Sequence, residues 1–377
     1  GRDLAAIAEE GTPAYVYGAA RVGENISRLR AALDAARVPH DLYYAVKANR
    51  FGPLLDYLRA DGGCGIDACS PAEVEHALAH AFREPEISFT GHAVSEADLD
   101  VLAAHPAVHV NCDAISTIRR LGRRGPGRAI GIRLNPGLGA GYNERLRYAG
   151  EKATKFGVYP DRFEEAMAAA RAARLPVDTL HFHMGSGYQG DALDVLDRVL
   201  AGATKILDAH PEIRRLNVGG GLGVRMTESD SGVDLARWAA IVARHALPRG
   251  LRIAVEPGDY LVKDAGVLLA RVNTVEDKAG TRFVGIDAGL GILNLAAYYR
   301  IPYVVAPLVL HPGARTERVT ISGNINEAID LLAEDVDVPA LEEGDLIALV
   351  NVGGYGSAAA SNHCMRGAYR ELLLAGG

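Results

Sequence analysis

The stretch GCGIDACSPAEVEHALAHA, residues 63–81, decides how the chain is read. Its first half is a short β-rich run, its second half is an amphipathic helical segment, and no linker separates them. The same pair recurs. Further β-rich runs stand at YYAVKAN (43–49), EISFTG (86–91), VHVNCD (108–113) and AIGIRLNP (129–136). They continue with TLHFHMGS (179–186), LNVGGGLG (216–223) and RIAVEPG (252–258). Helical segments such as RFEEAMAAARAA (162–173) lie between them. Each strand candidate but the last is followed by a crossover helix, and strict βα alternation implies a parallel sheet. Eight units over ~220 residues is the size of a TIM (β/α)8 barrel. A doubly wound open sheet is the competing architecture.

After residue 265 the pattern changes. GVLLARVNTVED, TRFVGIDAG, YVVAPLVL, ERVTISG and DLIALVNVG read as strands without crossover helices. They imply a second, mainly antiparallel β domain. AYVYG (14–18) is a candidate N-terminal strand for it. The expected organisation is therefore an α/β barrel over 25–264 and a β domain made of 1–24 plus 265–377.

Composition narrows the class of function. The 377 residues are 49% hydrophobic and 23% charged, ordinary for a globular chain with a large core. By length, two domains are expected. A net charge of -7 with scattered Lys and Arg favours neither nucleic acid nor an anionic membrane. Cys64, Cys69, Cys112 and Cys364 form no CxxC pair and no His/Cys cluster, so a reduced compartment and no metal site are expected. GRDLAAIAEEG shows no apolar signal region, and no apolar run approaches the ~18 residues of a membrane helix. The expectation is a soluble cytoplasmic protein.

Barrels carry their functional groups at the C-terminal ends of the strands. Here those ends hold Lys47, Asp67, Asn135, His183, Ser186, the cluster Gly219–Gly223, and Glu256. A lysine, a histidine, a glycine cluster and a glutamate on one rim point to an active site. A desolvated Lys47 would have a depressed pKa and form a Schiff base with an aldehyde; the alternative is a lysine snorkelling from a strand end. The GGGLG backbone can cradle phosphate or simply turn. His183 is placed to stack on an aromatic cofactor or to titrate, and Ser186 to donate to phosphate or close the turn. His181 fits a core histidine bonded to a backbone carbonyl. Glu256 is placed to keep a pyridine nitrogen protonated, or to pair with a loop arginine.

At these residues the chain resembles the fold-type III pyridoxal-phosphate (PLP) decarboxylases, the group of diaminopimelate and ornithine decarboxylases. YYAVKAN resembles the lysine motif. KFG (155–157), HFHMGSG (181–187), GGGLG and EPG (256–258) match the barrel motifs in order and spacing. GGYGSAAASN (353–362) resembles the C-terminal motif with a phosphate-contacting tyrosine. The resemblance implies PLP on Lys47, with His183 stacked on its ring and Glu256 at its pyridine nitrogen. It further implies Ser186, Gly219, Gly220, Gly221, Gly258 and Tyr355 around the cofactor, and Asp67 below the lysine strand. A small amino-acid-like substrate and a homodimer with shared sites follow from the same likeness.

Three departures stand out. The family's CExxD motif, contributed across the dimer, is here Asn326-Glu327-Ala328-Ile329-Asp330. Glu327 and Asp330 remain as substrate-side candidates, but asparagine cannot supply the proton that cysteine does. Cys364, His363, Lys47 or water is left as the donor. EPGR becomes EPGD, placing Asp259 where an arginine meets phosphate or substrate. The arginine-proline that clamps the distal carboxylate of diaminopimelate is absent from GILNLAAYYRIP (291–302), although Arg300 lies nearby. The expected activity is decarboxylation of an amino acid other than meso-diaminopimelate. Decarboxylation-coupled transamination, elimination, or a non-catalytic PLP-binding homologue are the alternatives.

Overall fold

The computed structural model describes residues 3–150 and 152–375. β1 (Ala14–Gly18) leads into a long helix, Ala19–Ala35. Eight strands follow in alternation with helices. They are β2 (His40–Ala45), β3 (Gly65–Ala68), β4 (Ile87–Phe89), β5 (His109–Cys112), β6 (Ile130–Arg133), β7 (Val177–His181), β8 (Arg215–Asn217) and β9 (Arg252–Val255). Neighbours pair in parallel, and β9 pairs back onto β2, which closes the barrel and removes the open-sheet alternative. Such strands are covered on both faces, so they read as short apolar runs. Ile66, Ile87, Ile130, Ile132, Leu216 and Ile253 are all buried.

The unit at 63–81 shows the local logic. β3 ends at Ala68, and Ser70 Oγ caps the helix Pro71–Ala79 by accepting the Glu73 N–H at 3.3 Å. Pro71 occupies a first-turn position, where its missing N–H costs no helical bond. The helix Ala19–Ala35 packs against Leu235–Ala246 and completes the outer ring from upstream of β2. It runs unbroken across the boundary expected at 24/25, so its opening turns sit with the barrel.

The second domain contains β10 (Gly266–Lys278), β11 (Thr281–Ile286), β12 (Val304–Pro307), β13 (Thr316–Ser322), β14 (Leu331–Pro339), β15 (Leu346–Val350) and β16 (Arg370–Leu374). β10 is its spine. It pairs antiparallel with β1 and β15 near its start and with β11 further on, with an irregularity between Val272 and Thr274. AYVYG is thus a strand of this sheet. Pairing is mainly antiparallel, with β11–β13 and β1–β16 the parallel exceptions. Residues 1–2 and 376–377, the ends of the expected β domain, lie outside the described residues. Phe51, Val224 and Tyr355 pack against both the barrel core and the β-domain core, so the barrel mouth is roofed by the second domain.

Candidate active site

β2 stops at Ala45, and Val46–Ala48 forms a 3-10 turn that carries Lys47 just beyond the strand. The turn is held from two sides. The Ala45 N–H donates to the Pro257 carbonyl at 3.2 Å, which ties it to the EPG loop. The Tyr355 N–H donates to the Ala48 carbonyl at 2.7 Å, and Asn49 Nδ2 to the Gly353 carbonyl at 3.0 Å. Gly258 packs directly against this turn: a Cβ there would stand 3.0 Å from the Ala48 Cβ.

Lys47 Nζ lies 3.7 Å from Asp67 Oδ2, and the lysine side chain remains 40% accessible. The electrostatics differ from the depressed lysine expected from desolvation. Burial does lower the Lys47 pKa, but the Asp67 carboxylate and Tyr355 raise it, and the net direction is up. Burial and the neighbouring Glu256 charge push Asp67 well above the carboxylate range, against the pull of Lys47. Asp67 Oδ1 is buried without a hydrogen-bond partner.

Glu256 is held by side chains other than the loop arginine offered as its alternative partner. No loop arginine reaches it among the described residues; Asn217 Nδ2 donates to Oε1 at 2.6 Å, and His181 Nε2 meets Oε2 at 3.1 Å. His181 is buried as expected, but its partner is this carboxylate rather than a backbone carbonyl. Burial alone would raise the Glu256 pKa; His181, the Asn217 amide and Lys47 reverse this and bring it to about 2. Burial lowers the His181 pKa, so a neutral imidazole donates to an ionised carboxylate. Glu256 can therefore hold a protonated ring nitrogen. The chain separation of 39 residues between Asn217 and Glu256 hid this contact. The asparagine at the end of β8 was its only sequence signal.

His183 follows β7, its ring centroid 4.9 Å from that of Tyr148 at 60°. Burial, then Lys47 and Arg133, hold its pKa well below the ordinary value, so the ring is neutral. Its Nδ1 is buried and unpartnered. The glycine loop is pressed into its surroundings. A Cβ on Gly220 would run into the Glu256 carbonyl oxygen, and one on Gly221 into that of Gly185. The Gly219 N–H is already donated to Asn217 Oδ1 at 2.9 Å, so Gly219 does not offer its amide to phosphate as expected. Ser186, Tyr355, Asp259 and Lys263 line one cleft of about 120 Å³ between the rim and the β domain. Tyr355 sits there at φ 58°, a left-handed conformation for a non-glycine residue.

Other candidates lie elsewhere or are engaged. Asp259 faces Lys263 Nζ at 3.2 Å, a buried partner one helical turn on. Arg300 is exposed at the end of the helix Leu295–Tyr299 and does not line the cleft. Asp330 is buried in the β domain and accepts the Leu290 N–H at 2.5 Å and the Ile325 N–H at 2.6 Å. Its carboxylate organises its own loop, which leaves it unavailable to a substrate within this chain. Asn326, Glu327 and Cys364 are exposed, and Glu327 meets His363 Nε2 at 3.0 Å. None of them lines the cleft. Asn135 serves its own loop, donating to the Phe156 carbonyl at 2.7 Å.

Residues 20–263 match the family model described as pyridoxal-dependent decarboxylase, pyridoxal binding domain. The chain belongs to the pyridoxal-dependent decarboxylase family. It is 32% identical to the diaminopimelate decarboxylase of Methanothermobacter thermautotrophicus, over 99% of this chain and 89% of that one. It is 33% identical to the same-named protein of Pseudomonas aeruginosa, over 99% and 90% respectively. The crystal structure of a Helicobacter pylori diaminopimelate decarboxylase mutant complexed with L-lysine matches at TM-score 0.89 and 26% identity, covering 97% of this chain and 92% of that one. The protein is a PLP-dependent decarboxylase of an amino-acid-like substrate. The family's cofactor fits what is present. One buried oxygen of Asp67, Oδ1, and His183 Nδ1 lack partners near Lys47, and Gly220 and Gly221 leave no room for a side chain. No helix among the described residues is long and apolar enough to cross a membrane.

Proposed function

We propose that this decarboxylase acts on an amino acid other than meso-diaminopimelate, in a homodimer whose subunits share their sites. The observation that carries the substrate reading is the Asp259–Lys263 pair: among the described residues, the cleft contains no cation free to clamp a distal carboxylate. In this reading Lys47 would hold the cofactor through its aldehyde, Glu256 would keep the pyridine nitrogen protonated and His183 would pack on the ring. Gly220, Gly221, Ser186 and Tyr355 would hold the phosphate. PLP supplies the electron sink for the pair left when carbon dioxide departs. Glu256 keeps the ring proton in place, and the roofed cleft limits water at the reacting carbon.

Asn326 occupies the place of the family's usual cysteine, and an amide has no acidic proton near neutral pH. We assign the proton to a relocated donor and place Cys364 first, next to the Glu327–His363 pair that a partner subunit would bring to the site. Product analysis in deuterium oxide tests the reading, using a panel of D- and L-amino acids that includes meso-diaminopimelate. Carbon dioxide and an amine with one deuteron at the decarboxylated carbon are expected, with meso-diaminopimelate turned over poorly. Build-up of pyridoxamine phosphate would instead mean decarboxylation-coupled transamination. Efficient turnover of meso-diaminopimelate would refute the substrate assignment. An unchanged rate and product in Cys364→Ala removes Cys364 as donor.

A further inference from the structure

Away from Ser186 and Tyr355, the cleft they help to line is walled mainly by apolar and aromatic residues. Its wall is built from Leu146, Leu222, Val224, Met226, Leu295 and Ile301, drawn from both domains. Tyr142, Tyr148 and Tyr299 add aromatic surface. Among the described residues, the only charged ones lining it are Asp259 and Lys263, which meet at 3.2 Å. Lys263 Nζ also donates to the Gly354 carbonyl at 3.3 Å, so its charge is further engaged. The loop that carries Tyr142 and Leu146 is fixed over the cleft. The Tyr142 N–H donates to the Ser186 carbonyl at 2.8 Å, and the Ser186 N–H to the Leu146 carbonyl at 2.9 Å. The apolar wall is thus a formed surface, continuous with the motif residues of the cofactor site.

We propose that this cleft receives the distal part of the substrate and selects an uncharged, apolar side chain, aliphatic or aromatic. The inference rests on the decarboxylase reading for its reaction and adds the substrate class. A charged end entering this wall would lose its water and meet no free counter-charge. An apolar end would gain from leaving water, about fourfold in affinity per buried methylene. Glu327, the carboxylate that a partner subunit would bring, is engaged by His363 of its own chain, so it does not reserve the cleft for an amine.

The test uses PLP-loaded enzyme and a straight-chain series from 2-aminobutyrate to 2-aminoheptanoate, in both enantiomers. Dissociation constants are read from the change in the cofactor's visible band, and carbon dioxide is measured in the same mixtures. Affinity should tighten about fourfold per methylene. The ω-charged analogues 2-aminoadipate, ornithine and lysine should bind at least about tenfold more weakly than norleucine, the weight of one uncompensated buried charge. Tighter binding of any charged analogue overturns the proposal. Tight norleucine binding without carbon dioxide from any ligand would keep the pocket assignment and reject the decarboxylation reading for these substrates. Val224 is half-buried, so Val224→Arg should fold and shift preference towards 2-aminoadipate. An unchanged ranking in that variant would mean the distal group lies elsewhere.

Discussion

Asn49 Nδ2 donates to the Gly353 carbonyl at 3.0 Å, across 304 positions of chain. With the Tyr355 N–H to Ala48 carbonyl bond at 2.7 Å, it fastens the lysine turn to the roof of the barrel. The other end of the Asn49 amide accepts the Phe51 N–H at 2.9 Å. Asn49→Ala should therefore cost roughly 1–3 kcal/mol, the usual penalty for stranding buried polar partners. Urea unfolding measures this, and PLP titration should show weaker retention. A variant with wild-type midpoint and wild-type PLP affinity would show that the turn does not depend on the β domain.

Asp67→Asn should lower the pKa of Lys47. In the wild type burial opposes the ammonium, and Asp67 together with Tyr355, Cys69 and Glu256 outweighs it, Asp67 contributing most among them. Removing Asp67 takes away the largest of these opposing contributions. A lysine raised in the folded state stabilises the fold below its ordinary pKa, and that contribution fades only as the pH rises past the folded value. The pH dependence of PLP capture by apoprotein checks the sign: its midpoint should fall in Asp67→Asn. An unchanged or higher midpoint would remove Asp67 as the controlling charge.

Lys263→Met should be strongly destabilising, by about 3–5 kcal/mol, because it strands the Asp259 carboxylate in a largely buried position. The double variant Asp259→Leu/Lys263→Met should recover most of that loss. Denaturant midpoints of the single and double variants measure the coupling. Additive losses would mean that the two residues act independently.

The barrel was legible because its signal repeats: an apolar run followed by an amphipathic segment, as at 63–81, is hard to imitate. Lys47, Asp67, His183 and Glu256 were legible by position, since strand ends define the rim. What stayed hidden depends on long-range partners. Asn217 and His181 converge on Glu256 from strands 39 and 75 residues away, and nothing local to LNVGG or TLHFH announces it. Asp259 lines the cleft, but its partner is not evident when the substitution in EPGD is considered alone. The i,i+4 spacing to Lys263 was available in DYLVK and marks a helical ion pair. Asp330 resembled a substrate ligand, yet its burial and two short amide bonds make it a loop organiser in this chain.

If the sites are shared between subunits, as proposed, inactive subunits should complement one another. Mixing Lys47→Ala with Glu327→Ala chains should restore partial activity, because one of the two sites in each heterodimer would then be intact. Verified heterodimers without activity would mean that each site is built from a single chain.

The central claim is that Lys47 carries the cofactor. Borohydride reduction of the yellow, PLP-loaded protein, followed by peptide mass mapping, tests it directly. A pyridoxyl group on the peptide containing Lys47, and loss of the yellow band in Lys47→Ala, are the predicted results. A pyridoxyl group on Lys263, the buried lysine of the cleft, with the band retained in Lys47→Ala, would contradict the account.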